Sequence, residues 1–277
     1  MTTTAFIDGT AGRIAIHRFD TADLAQPTLL VCHATGFLAM VYRALAHELR
    51  NDFTVVALDF RGHGDSDTPD DLADLAWPNM ANDLLAVVDH LAVDELHGFG
   101  HSMGGAALLA AERHRPNTFA SLFAFEPIVP PGPFGDGESP LTKAARARLR
   151  TFPGYPEALQ RYASKPPLGL FRADVLSDYV NHGFADVEDG VTLKCTPESE
   201  AATFGHAGAI KLADMAEVAA RVVIGQSSDG GLPAQLAPAI VDALPAGELQ
   251  HFSTITHFGP LQDPVVVANA LREQLDG

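Results

Sequence analysis

Hydrophobic positions in this chain come in short bursts separated by polar, glycine-containing stretches. TLLVCHA (28–34), FTVVALDF (53–60), ELHGFGH (95–101) and SLFAFEPIV (121–129) are apolar runs bounded by turn residues. Runs this short, apolar on successive positions, predict strands buried on both faces, as in a parallel sheet. Between the last two lies SMGGAALLAAERHR, an alanine-rich helix former. Upstream, Met80, Leu84, Val87, Val88 and Leu91 recur at helical spacing and give one apolar face. Strands alternating with helices predict an α/β domain, its mostly parallel sheet covered by helices on both faces.

The pattern changes after Val129. PPGPFGDGESP is a proline and glycine linker, and roughly residues 138–215 show short helical segments without strand signals. The clearest are LTKAARARLRTF, PEALQRYAS and FRADVLSDYV, with Arg and Lys concentrated in the first. RVVIGQSS (221–228) and ELQHFSTIT (248–256) then resume the strand pattern. A helical block spliced between strands of one sheet is an insertion, expected to form a cap. The expected division is a core of residues 1–130 and 216–277 with a helical cap at 131–215.

Composition narrows the choice of partners. The 277 residues are 47% hydrophobic and 19% charged, as in a compact protein rather than a disordered one. Eighteen Lys plus Arg against 35 Asp plus Glu give a net charge of -17, which repels nucleic acid and anionic lipid. The start, MTTTAFIDGTAG, lacks a basic segment followed by an apolar one, and no later run approaches membrane-spanning length. A cytoplasmic protein acting on a small molecule, with neither nucleic acid nor membrane as partner, is the expectation; a homo-oligomer stays open. Cys32 and Cys195 form no CxxC pattern, so neither a disulfide framework nor a thiolate metal site is expected, and Cys32 reads as a small core residue.

The chemistry centres on GFGHSMGG (98–105). GHSMG fits GxSxG, with a strand-like run before it and a helix-forming run after it. A nucleophile on such a turn needs a strained backbone and small neighbours, which Gly100, Gly104 and Gly105 supply. The following helix aims its first amides at the reaction centre, so Met103 N–H is one candidate oxyanion donor. CHATGF (32–37) ends an earlier strand, where the Thr35 amide is the second. LDFRGHGDSD (58–67) reads as a turn beside the site. Among twelve histidines, His257 in THFGP (256–260) lies in the loop after the last strand, where an imidazole reaches Ser102. His33 is expected to orient the oxyanion loop through hydrogen bonds. His97 and His101 are four apart but on a strand, which denies them one helical face as a zinc pair.

With these motifs in this order, the sequence resembles the α/β-hydrolase superfamily across nearly all its length. The resemblance implies an α/β-hydrolase fold, a mostly parallel, doubly wound sheet with an inserted helical cap. It also implies a Ser, His and carboxylate triad, a cap over the substrate pocket, and no cofactor or metal. Two carboxylates compete for the third place, and Glu126, 24 residues after Ser102 at a strand end, is favoured over Asp229. Glu126 ends the strand SLFAFEPIV, a position that some superfamily members use. Asp229 follows RVVIGQSS, the usual place, but in a lengthened, serine-rich turn. Ser102 itself excludes alkyl-enzyme chemistry, because a serine ether has no carbonyl for water to attack. The expected function is a serine hydrolase forming an acyl-enzyme from a small, largely apolar carboxylic ester or lactone. Alternatives are hydrolysis of a carbon-carbon bond beside a ketone, and a slow-turnover ligand receptor of the same fold. Cap aromatics such as Phe134, Phe152, Tyr155, Phe171, Tyr179 and Phe204 are expected to form the cap's own core or to line an apolar pocket.

Overall fold

The structure, a computed structural model, describes residues 2–20, 25–132, 134 and 138–275. The chain opens with a hairpin, β1 (Thr3–Gly9) and β2 (Gly12–Arg18), which a search for continuous apolar runs passes over. Its trace in the sequence is the alternation of FIDG and GRIAIH about a short turn. β3 (Thr28–Cys32), β4 (Thr54–Leu58), β5 (Leu96–His101) and β6 (Ser121–Phe125) follow, each shorter than the apolar run that predicts it. α1 (Arg43–Leu49), α2 (Trp77–Leu91) and α3 (Met103–His114) connect them in turn.

Between β6 and the next strand of the main sheet come α4 (Pro140–Arg146), β7 (Thr151–Phe152), α5 (Tyr155–Ala163), α6 (Ala173–Gly183), β8 (Phe184–Val187), β9 (Gly190–Leu193) and α7 (Pro197–Gly205). The chain closes with β10 (Arg221–Gln226), α8 (Leu232–Ala243), β11 (Gly247–His251), α9 (Gly259–Gln262) and α10 (Pro264–Leu275). The main sheet has the order β1-β2-β4-β3-β5-β6-β10-β11. β2 runs antiparallel to both of its neighbours, β1 and β4, and the other neighbouring pairs of the sheet are parallel.

Successive side chains of a strand point to opposite faces, and the two faces carry separate cores. Leu29, Val31, Val55, Ala57 and Phe123 pack on Leu45 and Leu49 of α1 and Val267 and Leu271 of α10. Leu30, Val56, Leu58, Leu122 and Ile224 pack on Leu84 and Val87 of α2, Leu108 of α3 and Ile240 of α8. Helices therefore cover both faces of a mostly parallel sheet, the predicted α/β-hydrolase architecture. No helix among the described residues is long and apolar enough to cross a membrane.

The insertion is not purely helical, in contrast to the sequence reading. β7, β9 and β8 form an antiparallel three-stranded sheet, with β8 and β9 joined through Glu188 and Asp189. The acidic VEDG turn hides this hairpin from a search for apolar runs. Gly190 has φ +132, and a Cβ there would lie 2.1 Å from the Phe152 carbonyl oxygen of β7. Only glycine permits both the conformation and the approach. Phe152, Phe171, Val175, Tyr179 and Phe184 of the insertion belong to one apolar cluster with Phe37, Leu38 and Tyr42 of the core. Polar ties reinforce the junction: Arg43 with Asp178, Lys194 with Asp65, and Trp77 Nε1–H donating to the Thr203 carbonyl at 2.9 Å.

Candidate active site

His33, Asp59, Ser102 and Glu126 each stand immediately after a strand, β3, β4, β5 and β6. Four adjacent parallel strands thus deliver their next residues to one edge of the sheet, the carboxyl edge where such sheets build sites. Ser102 lies between β5 and α3 with φ 55 and ψ -113. Its N–H donates to Phe125 O at 2.9 Å, so the turn is fastened to the end of β6. The glycines around it have steric causes. A Cβ on Gly104 would lie 2.2 Å from the Cys32 carbonyl oxygen, and one on Gly100 2.6 Å from the backbone of Gly104 and Gly105. α3 therefore touches the end of β3, and its N-terminal amides face the Ser102 turn.

His257 and Glu126 come together. His257 Nδ1 lies 2.6 Å from Glu126 Oε2, and Ser227 N–H donates to Glu126 Oε1 at 2.7 Å. A carboxylate with both oxygens accepting fixes the tautomer: Nδ1 carries the proton, and Nε2 keeps its lone pair. Glu126 is fully buried and has φ 46, a left-handed backbone at a non-glycine residue. Strain of this kind is concentrated at functional positions, and Ser102 shares it. Asp229, the competing acid, does not reach the imidazole. Its Oδ2 accepts the backbone N–H of His257 at 2.8 Å, and its Oδ1 that of Gly231 at 2.9 Å. Burial opposes its ionisation, but these two amides outweigh it and hold its carboxyl below the usual range.

The loop after β3 brings Thr35 beside Met103, with the Thr35 hydroxyl on Met103 Sδ at 3.3 Å. Neither backbone amide, Thr35 nor Met103, has an acceptor among the described residues. Two buried histidines hold this loop from behind. His33 Nε2 accepts Phe60 N–H at 2.9 Å while Nδ1–H donates to Ala34 O at 2.8 Å. His63 Nε2 accepts Gly36 N–H at 3.1 Å while its Nδ1–H donates to Arg61 O at 3.0 Å. Burial drives both rings neutral, His33 to a pKa of about 3 and His63 to about 4. Asp59 accepts Ala39 N–H at 2.6 Å and Asp65 N–H at 2.8 Å, so LDFRGHGDSD is the turn that braces the loop.

Sequence reasoning missed the part played by His101. Fully buried, it takes the Tyr42 hydroxyl on Nδ1 at 2.8 Å and meets His257 O through Nε2 at 2.8 Å. Its position next to Ser102 was the available signal. Over the site, Phe171 and Tyr179 of the insertion pack on Phe37, with ring centroids 5.6 and 5.8 Å away. Phe171 also meets Phe258 at 5.8 Å, and Phe258 meets His257 at 5.3 Å. Phe134 of the insertion, by contrast, is exposed. His17, Asp59 and Asp65 cluster with metal-ligand chemistry, but Lys194 Nζ already pairs with Asp65 at 2.5 Å and His17 with Asp59 at 2.9 Å. Protein donors fill that place.

A family model described as the alpha/beta hydrolase fold matches residues 27–185, and the chain belongs to that family. The solved E-2-(acetamidomethylene)succinate hydrolase superposes with a TM-score of 0.82 at 19% identity, covering 100% of both chains. Esterase YbfF of Escherichia coli is 41% identical over 66 residues, 24% of this chain. The RutD protein of Caulobacter segnis, whose name proposes carbamate hydrolysis, is 23% identical over 99% of both chains. Several curated relatives, that esterase among them, are spanned over only 24–25% of their own length.

Proposed function

We propose that this protein is a serine hydrolase that cleaves a small, largely apolar carboxylic ester or lactone through an acyl-enzyme on Ser102. The observation that carries the reading is the 2.6 Å contact of Glu126 with His257 Nδ1, beside a serine held in the strained turn between β5 and α3. In the cycle, His257 Nε2 takes the hydroxyl proton as Ser102 Oγ attacks the carbonyl carbon. The Thr35 and Met103 amides stabilise the oxyanion, and Glu126 stabilises the imidazolium. Nε2 then protonates the departing alkoxide, which leaves as an alcohol or, from a lactone, stays attached to the acyl group. Water next gives its proton to Nε2 and attacks the acyl carbon. Ser102 departs with that proton and the carboxylic acid is released.

The aromatic surround of Phe37, Phe171, Tyr179 and Phe258 supports an apolar substrate, and residues 131–215 act as its cap. The named esterase relative is consistent with this chemistry. Activity profiling on p-nitrophenyl esters, lactones and vinylogous diketones, with fluorophosphonate labelling, tests the reading. Short-chain ester or lactone turnover is expected, with one labelled residue that Ser102→Ala eliminates. Diketone turnover without ester turnover would move the assignment to carbon-carbon hydrolysis, and labelling that survives Ser102→Ala would remove Ser102 as nucleophile.

A further inference from the structure

We propose that the backbone of His257 is clamped on both sides of its Cα, by His101 on its carbonyl and by Asp229 on its N–H, and that these are positioning residues for the imidazole. The proposal rests on the reading of Ser102, His257 and Glu126 as the triad. Glu126 restrains only the ring of His257. A ring that serves Ser102, the leaving group and water in turn needs an anchored Cα as well, and the two backbone bonds supply that anchor. Asp229 Oδ2 accepts His257 N–H at 2.8 Å, and His101 Nε2–H donates to His257 O at 2.8 Å.

The buried arm reaches further. Because a carbonyl only accepts, His101 Nε2 carries the proton, and its Nδ1 accepts from the Tyr42 hydroxyl at 2.8 Å. That hydroxyl accepts Ala34 N–H at 3.3 Å. Three hydrogen bonds therefore run from the residue beside Thr35, through the residue beside Ser102, to His257. They connect the oxyanion loop, the nucleophile turn and the base loop. The arrangement requires a neutral imidazole. Burial, and then the neighbouring His257 ring 5.0 Å away, keep His101 well below the usual histidine range. Each link polarises the next in the dry interior.

Steady-state kinetics on the best ester, with melting curves, test the clamp in the full chain. His101→Phe keeps a ring but neither bond, and Tyr42→Phe removes only the hydroxyl. Both should lower kcat by about 10- to 100-fold and move KM by less than about threefold, as small displacements of a catalytic group do. His101→Gln, whose amide nitrogen reaches the Nε2 place, should recover most of kcat; His101→Asn, which reaches only the Nδ1 place, should not. Asp229→Asn keeps one oxygen to accept the His257 N–H, with its NH2 turned to the exposed Gly231 side, and should lose little, whereas Asp229→Ala should lose about tenfold. Turnover abolished by Ser102→Ala but undiminished in His101→Phe and Tyr42→Phe overturns the clamp alone. Equal kcat in the Gln, Asn and Phe variants does so too, since simple packing at residue 101 would then explain the loss. Turnover surviving in Ser102→Ala overturns the triad reading, and the clamp with it.

Discussion

Replacing Glu126 by glutamine changes one atom of a buried side chain, and its neighbours dictate how the new amide sits. Ser227 N–H donates to Oε1 at 2.7 Å, so the amide oxygen must stay there; turning the NH2 toward Ser227 would oppose two donors. The NH2 then faces His257 Nδ1 at the present 2.6 Å contact, and Nδ1 becomes the acceptor. The proton moves to Nε2, which then has no lone pair left to receive the Ser102 hydroxyl proton. An amide at this place in a catalytic triad lowers kcat by about 10⁴-fold, equivalent to about 5 kcal/mol of transition-state stabilisation. Volume is unchanged, so stability should move by less than about 2 kcal/mol, because loss of the charge-assisted bonds is offset by burying a neutral group. Single-turnover acylation by a p-nitrophenyl ester, followed beside a thermal melt, gives both quantities. Asp229→Asn in the same assay should keep kcat within about tenfold. A Glu126→Gln protein that melts normally and retains more than about a tenth of its acylation rate would refute the tautomer argument.

Other expectations come from packing and charge. Gly104→Ala drives a Cβ to within 2.2 Å of the Cys32 carbonyl oxygen, so α3 and β3 must separate; a loss of about 3 kcal/mol or more in urea unfolding is expected, and a wild-type midpoint would contradict that contact. Acid should destabilise the fold before most carboxylates titrate. Burial holds His33 and His63 at pKa values of about 3 and about 4 against an ordinary 6.5, so below pH 6.5 the unfolded chain binds protons that the folded one refuses. Unfolding free energy should therefore fall by about 1.4 kcal/mol per pH unit for each of them, between 6.5 and their folded pKa values. His63→Gln should flatten that slope, and equal slopes in variant and parent would exclude His63 as a source. Arg43→Ala leaves Asp178, 3% exposed, without its guanidinium partner, and should cost about 1–3 kcal/mol and speed proteolysis within the insertion. Asp178→Asn in that background should recover most of the loss; failure to recover would point to lost Arg43 packing instead.

Much of the molecule is local enough to be written in one dimension. Four buried parallel strands announce themselves because each is apolar on both faces, and GHSMG announces its turn because a strained backbone at Ser102 tolerates only glycine at positions 100 and 104. His257 is legible from its order after the last strand. What hides from the sequence is of two kinds. The β1–β2 and β8–β9 hairpins carry half-polar strands, whose alternating pattern differs little from that of loops; only pairing with β4 in one case and with β7 in the other makes them strands. The second kind is direction. Glu126 and Asp229 both stand at strand ends near His257, and spacing favours Glu126 without saying where either carboxylate points. The register of β6 against β10 places Glu126 under the imidazole, with its second oxygen on Ser227 N–H, while the turn after β10 carries Asp229 round to the backbone of His257 instead. His101 hides for the same reason: its neighbours Tyr42 and His257 are 59 and 156 residues away along the chain. Sequence determined which chemical groups stand at the carboxyl edge of the sheet, because propensity and burial act along the chain. Tertiary structure decided which of them touch, because a hydrogen bond depends on a few tenths of an ångström and an angle, and only the assembled strands set these.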